Sequence, residues 1–147
     1  MTADQLFSIC NTTALLAWIL MIALPRWRGT QLVVLSGLMP LMLGLVYIPL
    51  IAMTFGSTTG DFSSLAGVKA LFGNDYLLVA GWVHYLAFDM FVGSWILSNG
   101  QQHKIHHMLL IPCLFFTFMF GPAGLILYFI IRSIKSKQLL HDNFKLA

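Results

Sequence analysis

Glutamate is absent from this chain of 147 residues, and charged side chains make up only 9% of it. A soluble domain carries about 25% charged residues. The scarcity excludes an ordinary solvated surface. With 59% hydrophobic residues, the composition suits lipid as solvent. The formal charge is +3, but the basic residues sit in loops and tails. They read as headgroup contacts and topology signals, and no nucleic-acid partner is expected. Cysteine is also scarce. Cys10 belongs near the start of the first apolar segment and Cys113 near the start of the last, on opposite faces. About 20 Å of helix separates them, too far for a disulfide.

What is present is a set of long apolar runs. The reading is an all-α integral membrane protein in one domain, 1–147. Four transmembrane helices are expected over about 4–24, 31–54, 76–97 and 106–134. No Lys or Arg precedes the first run, which makes it a poor signal peptide and a good first span. No Ser/Arg-rich transit segment precedes it either. With Met1 as the start, a bacterial inner membrane is the expected location. Pro25 to Gly29 makes a basic turn with Trp27 as an interfacial anchor. Pro40 and Pro49 each disrupt a bond to the carbonyl four residues earlier, Ser36 and Leu45. Between helices two and three, Phe62, Leu65, Val68, Leu71 and Phe72 recur at helical spacing. They predict a short amphipathic interfacial helix over about 61–72, capped by Asp61 or Ser63. Asn74 or Asp75 is available to cap the third helix. Gly121-Pro122 should kink the fourth, and the basic end of the chain from Arg132 on, with a polar tail over 135–147, should lie at the surface. Four crossings put both termini on one face. The basic residues slightly favour cytoplasmic termini.

Two ionisable side chains fall well inside a span, His84 and Asp89 in GWVHYLAFDMFVGSW. An ionisable group at membrane depth is costly and points to function. His84 lies roughly 12 Å along the third helix and Asp89 deeper. Asn11 and Thr12 fall near the level of His84. Pro40 and the Gly121-Pro122 break fall near that of Asp89. Polar groups and helix irregularities thus converge on one depth, the pattern of a buried intramembrane site. Five residues apart, His84 and Asp89 point about 140° away from each other. Asp89 shares a stripe with Trp82 and Tyr85, and His84 shares one with Phe88 and Trp95. The pair could flank a ligand or face two different neighbours. Alternatively, Asp89 is a structural carboxyl paired with Tyr85 or Tyr47, and His84 a core imidazole bonded to Asn11 or Thr12.

His103, His106 and His107 match a HxxHH spacing. Metal boxes of that kind come in sets, and this chain has one. An interfacial role is expected for them, and no metal. Phe115, Phe116, Phe118 and Phe120 form an aromatic wall that would suit packing or a long flat polyene.

The stretches SLAGVKALF, AGWVHYLAFDMFVGSW and PCLFFTFMFGPAGLILY resemble the abscisic-acid-deficient-four-like family of small membrane proteins. The resemblance implies a carotenoid-linked role. For the plant member it implies isomerisation of an epoxycarotenoid to an allenic alcohol, as in neoxanthin synthesis. That conversion needs no redox cofactor. It needs an acid at the epoxide oxygen and a base for a chain proton. Asp89 is the candidate acid and His84 the candidate base. Trp82, Tyr85, Phe88, Trp95, Asn11, Phe118 and Phe120 are the candidate ligand contacts. The expected partners are membrane lipids and a carotenoid or other isoprenoid. A homo-oligomer or a membrane partner protein stays open, although no GxxxG lies in a span. Two rival readings remain: a non-catalytic subunit whose polar groups specify packing, and a proton or small-solute pathway through Asp89.

Overall fold

Residues 1–54, 56 and 60–136 are described in the computed structural model. Among them every regular element is helical. Helix α1 spans Ala3–Ala23. Thr2 and Gln5 start it by exchanging side-chain and backbone hydrogen bonds at 3.0 and 3.3 Å. The exchange satisfies two amides that a helix start leaves open. Arg28–Thr30 forms a turn of helix, α2, that runs into a π-helical turn over Gln31–Leu35. Helix α3 follows over Leu38–Thr54. The irregularity in this second rod falls at Ser36-Gly37, where Gly37 has φ 83°. Pro40 therefore sits in the first turn of α3, where a missing N–H is least costly. The Val34 carbonyl, beside this break, accepts from the buried Ser94 hydroxyl at 3.4 Å.

The expected interfacial segment is a helix of seven residues, α4, Leu65–Leu71. Its cap is Ser64, whose hydroxyl accepts the Gly67 amide at 3.0 Å. Asp61 serves the preceding turn instead. The Ser63 hydroxyl and amide donate to it at 2.7 and 2.8 Å and hold its carboxyl below the usual range.

Helix α5, Asp75–Gln102, is the central rod. Asn74 caps it, accepting from the amides of Tyr76 and Leu77 at 3.0 and 3.2 Å. It runs past Ser98-Asn99-Gly100, the expected end, to Gln102. Helices α1 and α5 and the rod Arg28–Thr54 are long and apolar enough to cross a membrane.

The last apolar segment departs most from expectation. It is two helices, α6 (His107–Phe120) and α7 (Pro122–Ser136), and they double back on each other. The level of each residue against α5 shows the reversal. Near the start of α6, Leu110 packs on Gly100. Near its end, the Phe118 carbonyl meets Tyr85. Gly121 lies against Asp89. Helix α7 then climbs back: Phe129 packs on Trp95, and Tyr128 and Arg132 both reach Asn99. Gly121 makes the turn with φ 51°, a conformation that favours glycine. Gly124 allows the close approach of the arms, since a Cβ there would press on Thr117 and the Cys113 carbonyl. At 1.5 Å per residue, the 14 residues of α6 reach about 21 Å, short of the roughly 30 Å hydrocarbon core.

The fourth crossing is thus replaced by a hairpin. Met1 and Ser136 lie at opposite ends of the bundle. Met1 is at the end where α5 starts, its carbonyl accepting from the Tyr76 hydroxyl at 3.2 Å. Arg132, expected in a surface tail, is inside α7 and 2% exposed. The remainder of the expected tail, from 137, lies outside the described residues. Cys10 and Cys113 are both buried and free.

Candidate functional site

His84 and Asp89 face two different neighbours, one of the two arrangements the spacing left open. Asp89 faces the hairpin. Its carboxylate lies over Gly121, where a Cβ would stand 3.1 Å from Oδ1. The Tyr85 hydroxyl lies beside the same carboxyl but donates to the Phe118 carbonyl at 3.0 Å. The reason is local. Pro122 has no N–H, so the carbonyl four residues earlier has no helical donor. Tyr85 supplies the missing bond. A hydroxyl has one hydrogen to give. Asp89 Oδ2 stays buried with no hydrogen-bond partner among the described residues. Trp82 extends this side toward α1, its Nε1 donating to Asn11 Oδ1 at 3.3 Å and its ring lying 5.6 Å from Phe7. Asn11 thus bonds Trp82, while no described bond joins it to His84. Phe118 packs its ring 5.5 Å from the buried Trp18. Phe120 points elsewhere and is exposed, near Phe116.

His84 faces α3. Its ring stacks on Phe88 at 4.5 Å and lies 5.6 Å from Tyr47. With Tyr47, Ile51, Phe62, Leu71, Phe72 and Gly81, it lines a cavity of about 220 Å³ under α4. The imidazole is exposed to that space. The imidazole and phenol rings therefore stand side by side in an otherwise aromatic and aliphatic setting. Trp95 is on neither of these surfaces; it packs on Tyr128 and Phe129 of α7 at 5.5 and 5.8 Å.

The histidine triplet is spent on the fold. His103 Nδ1 donates to the Asn99 carbonyl at 2.8 Å. His107 Nε2 donates to the Ile22 carbonyl at 2.8 Å, which ties α6 to the end of α1. His106 caps α6, accepting the Met108 amide at 3.4 Å.

Sequence reasoning missed two groups. Tyr47 entered only as a partner for Asp89, although it sits ten residues into α3 on the His84 side. Asn99 was read as a helix stop. It accepts from both the Tyr128 hydroxyl and Arg132 Nη1, the latter at 2.9 Å. The four-residue spacing of Tyr128 and Arg132, which puts both on one helix face, was the available signal.

A family model described as ABA DEFICIENT 4-like matches residues 5–128. Protein ABA DEFICIENT 4, chloroplastic, of Arabidopsis thaliana is 26% identical over 147 aligned positions. That alignment takes in 92% of this chain and 64% of the plant protein, so the chain spans under two thirds of its relative. No solved structure matches.

Proposed function

The chain belongs to the ABA DEFICIENT 4-like family, and from that premise we propose that it acts on a carotenoid-like isoprenoid within a membrane. The reaction proposed is isomerisation by opening of an epoxide. A proton goes to the epoxide oxygen, the carbon–oxygen bond breaks, and a proton leaves the adjoining chain carbon. No electrons are exchanged with a cofactor. The step needs a donor and a base at one ligand.

The observation that carries the reading is the His84–Tyr47 pair at an aromatic cavity between α3 and α5, under α4. His84 would take the chain proton, and the Tyr47 hydroxyl would hydrogen-bond the epoxide oxygen as it gains charge. Phe62, Phe72 and Phe88 supply flat apolar surface around them. A second reading keeps Asp89 as the acid, with Tyr85, Trp82 and Phe118 about the ligand. It is favoured by the buried, unpartnered Asp89 Oδ2.

Pigment analysis separates them. The protein is expressed in a host making violaxanthin, purified in mild detergent, and both extract and protein are chromatographed. The first reading expects an allenic product, lost in His84→Ala and reduced in Tyr47→Phe. Loss in a folded Asp89→Asn variant, with His84→Ala active, would move the chemistry to the hairpin side. Pigment bound without conversion indicates a carotenoid-binding protein. Neither product nor pigment would leave a non-catalytic subunit.

The hairpin also changes the orientation we propose. Five of the six described basic residues, Arg26, Arg28, Lys104, Arg132 and Lys135, lie toward the end where α1 and α5 finish. Asp4, Asp61 and Asp75 lie with Lys69 toward the other end. Short basic segments stay on the cytoplasmic side. Met1 would then face away from the cytoplasm, opposite to the orientation expected of four crossings. Cysteine labelling from outside intact cells should mark Thr2→Cys and spare Lys104→Cys.

A further inference from the structure

We propose that the face of α5 carrying His84, Phe88, Phe91 and Trp95 is a single rod-shaped binding groove for a full-length isoprenoid, walled by α3 for most of its length and by α7 at its far end, with the ring end under α4 and the chain along a floor of glycine. The inference rests on the isoprenoid reading above and adds where the ligand lies and what sets its length.

Three cavities line up along α5. The first is the His84 cavity under α4. The second, about 390 Å³, is lined by Gly37, Pro40, Leu41, Gly44, Phe88 and Phe91, with Ala87 at its back. The third, about 200 Å³, lies among Phe91, Val92, Trp95, Leu125 and Phe129. The first and second are neighbours across Phe88, which stacks on His84 and borders the second. The second and third share Phe91. From Leu77 to Trp95 the series follows α5 for about 27 Å at 1.5 Å per residue. That is close to the roughly 30 Å hydrocarbon thickness of a bilayer.

The floor is open. A Cβ on Gly44 or Gly37 would meet nothing within 4 Å. At Gly93 and Gly124, by contrast, neighbours press: a Cβ would meet Trp18 at the first and Thr117 at the second. Gly44 is different. It lies inside a helix, where glycine is less favourable than alanine, and no neighbouring side chain requires it. A ligand chain lying on the bare backbone would. The groove is polar at one end only, at His84 and Tyr47; the middle and far cavities are lined by apolar and aromatic side chains. That asymmetry fits a rod with an oxygenated ring at one end and a long hydrocarbon chain, and disfavours a phospholipid tail, whose polar end stays at the interface.

The test uses the full chain in detergent with two probes, a hydroxylated C40 carotenoid and a short compound carrying the same ring. Gly44→Leu should keep the melting temperature of the parent. It should lose at least tenfold in affinity for the C40 probe while binding the short compound as the parent does. Ala52→Leu, on an exposed position of α3, should change neither. His84→Ala should weaken both probes. If the parent binds the C40 probe and Gly44→Leu binds it equally, the groove is overturned while the isoprenoid reading stands. If the parent binds neither probe and retains only phospholipid, the isoprenoid reading itself fails and the groove with it.

Discussion

The two sides of α5 carry similar side chains and use them differently. Toward the hairpin, most polar groups are committed to the fold, with Asp89 Oδ2 left without a partner among the described residues. Tyr85 holds the Phe118 carbonyl, Asn99 holds Tyr128 and Arg132, and Gly124 is pressed against α6. Toward α3, the polar pair His84 and Tyr47 borders a cavity, and Gly44 faces open space. One side is largely spent on the fold, and the other is left open. The lesson is that an ionisable group at depth marks cost. What surrounds it decides whether that cost is met by the fold or by a bound molecule.

The scaffold side should break under substitution, in graded steps. Trp18 is 1% exposed, touches Gly93 and packs on Phe118. Trp18→Ala should cost about 3–5 kcal/mol, as large core truncations do, seen as a drop in thermal midpoint in detergent. Asn99→Ala strands a buried hydroxyl and one contact of a buried guanidinium. About 2–3 kcal/mol is expected from the loss, and spin labels on α6 and α7 should report a looser hairpin. Tyr85→Phe removes only the donor to the Phe118 carbonyl, for about 1–2 kcal/mol, read by faster hydrogen exchange at the Gly121 turn. On the open side the sign reverses. Gly44→Ala should stabilise the apo protein by up to about 1 kcal/mol, while carotenoid binding weakens.

Much of this was legible in the sequence. The bounds of α1 follow from its apolar run, and the start of α5 from its run and the cap Asn74. The levels of Asn11 near His84, and of Pro40 and Gly121 near Asp89, follow from rise per residue. The opposed directions of His84 and Asp89 follow from 100° per residue. The hairpin was not legible, because Gly-Pro breaks a helix without stating the angle that follows. A kink and a reversal begin with the same lost hydrogen bond. Two signals pointed to reversal. The apolar run 106–134 is 29 residues long, beyond the roughly 20 that one crossing needs. Gly124, three residues past the break, removes the side chain that would keep the two arms apart. Missing the reversal put Arg132 in a surface tail and the end of α7 at the same end of the bundle as Met1. The role of Tyr47 was hidden for another reason. Only the register between α3 and α5 brings it to His84, and that register is set by packing between helices, which no local pattern encodes.

The claim that the ligand lies on the α3 side can be tested by photo-crosslinking. A photoreactive residue is placed at Leu41 in the groove or at Phe120 on the exposed tip of the hairpin, both open positions. Each protein is irradiated with bound C40 carotenoid and weighed by mass spectrometry. An adduct at 41 and none at 120 is the predicted result. An adduct at 120 and none at 41 would contradict it and return the site to Asp89.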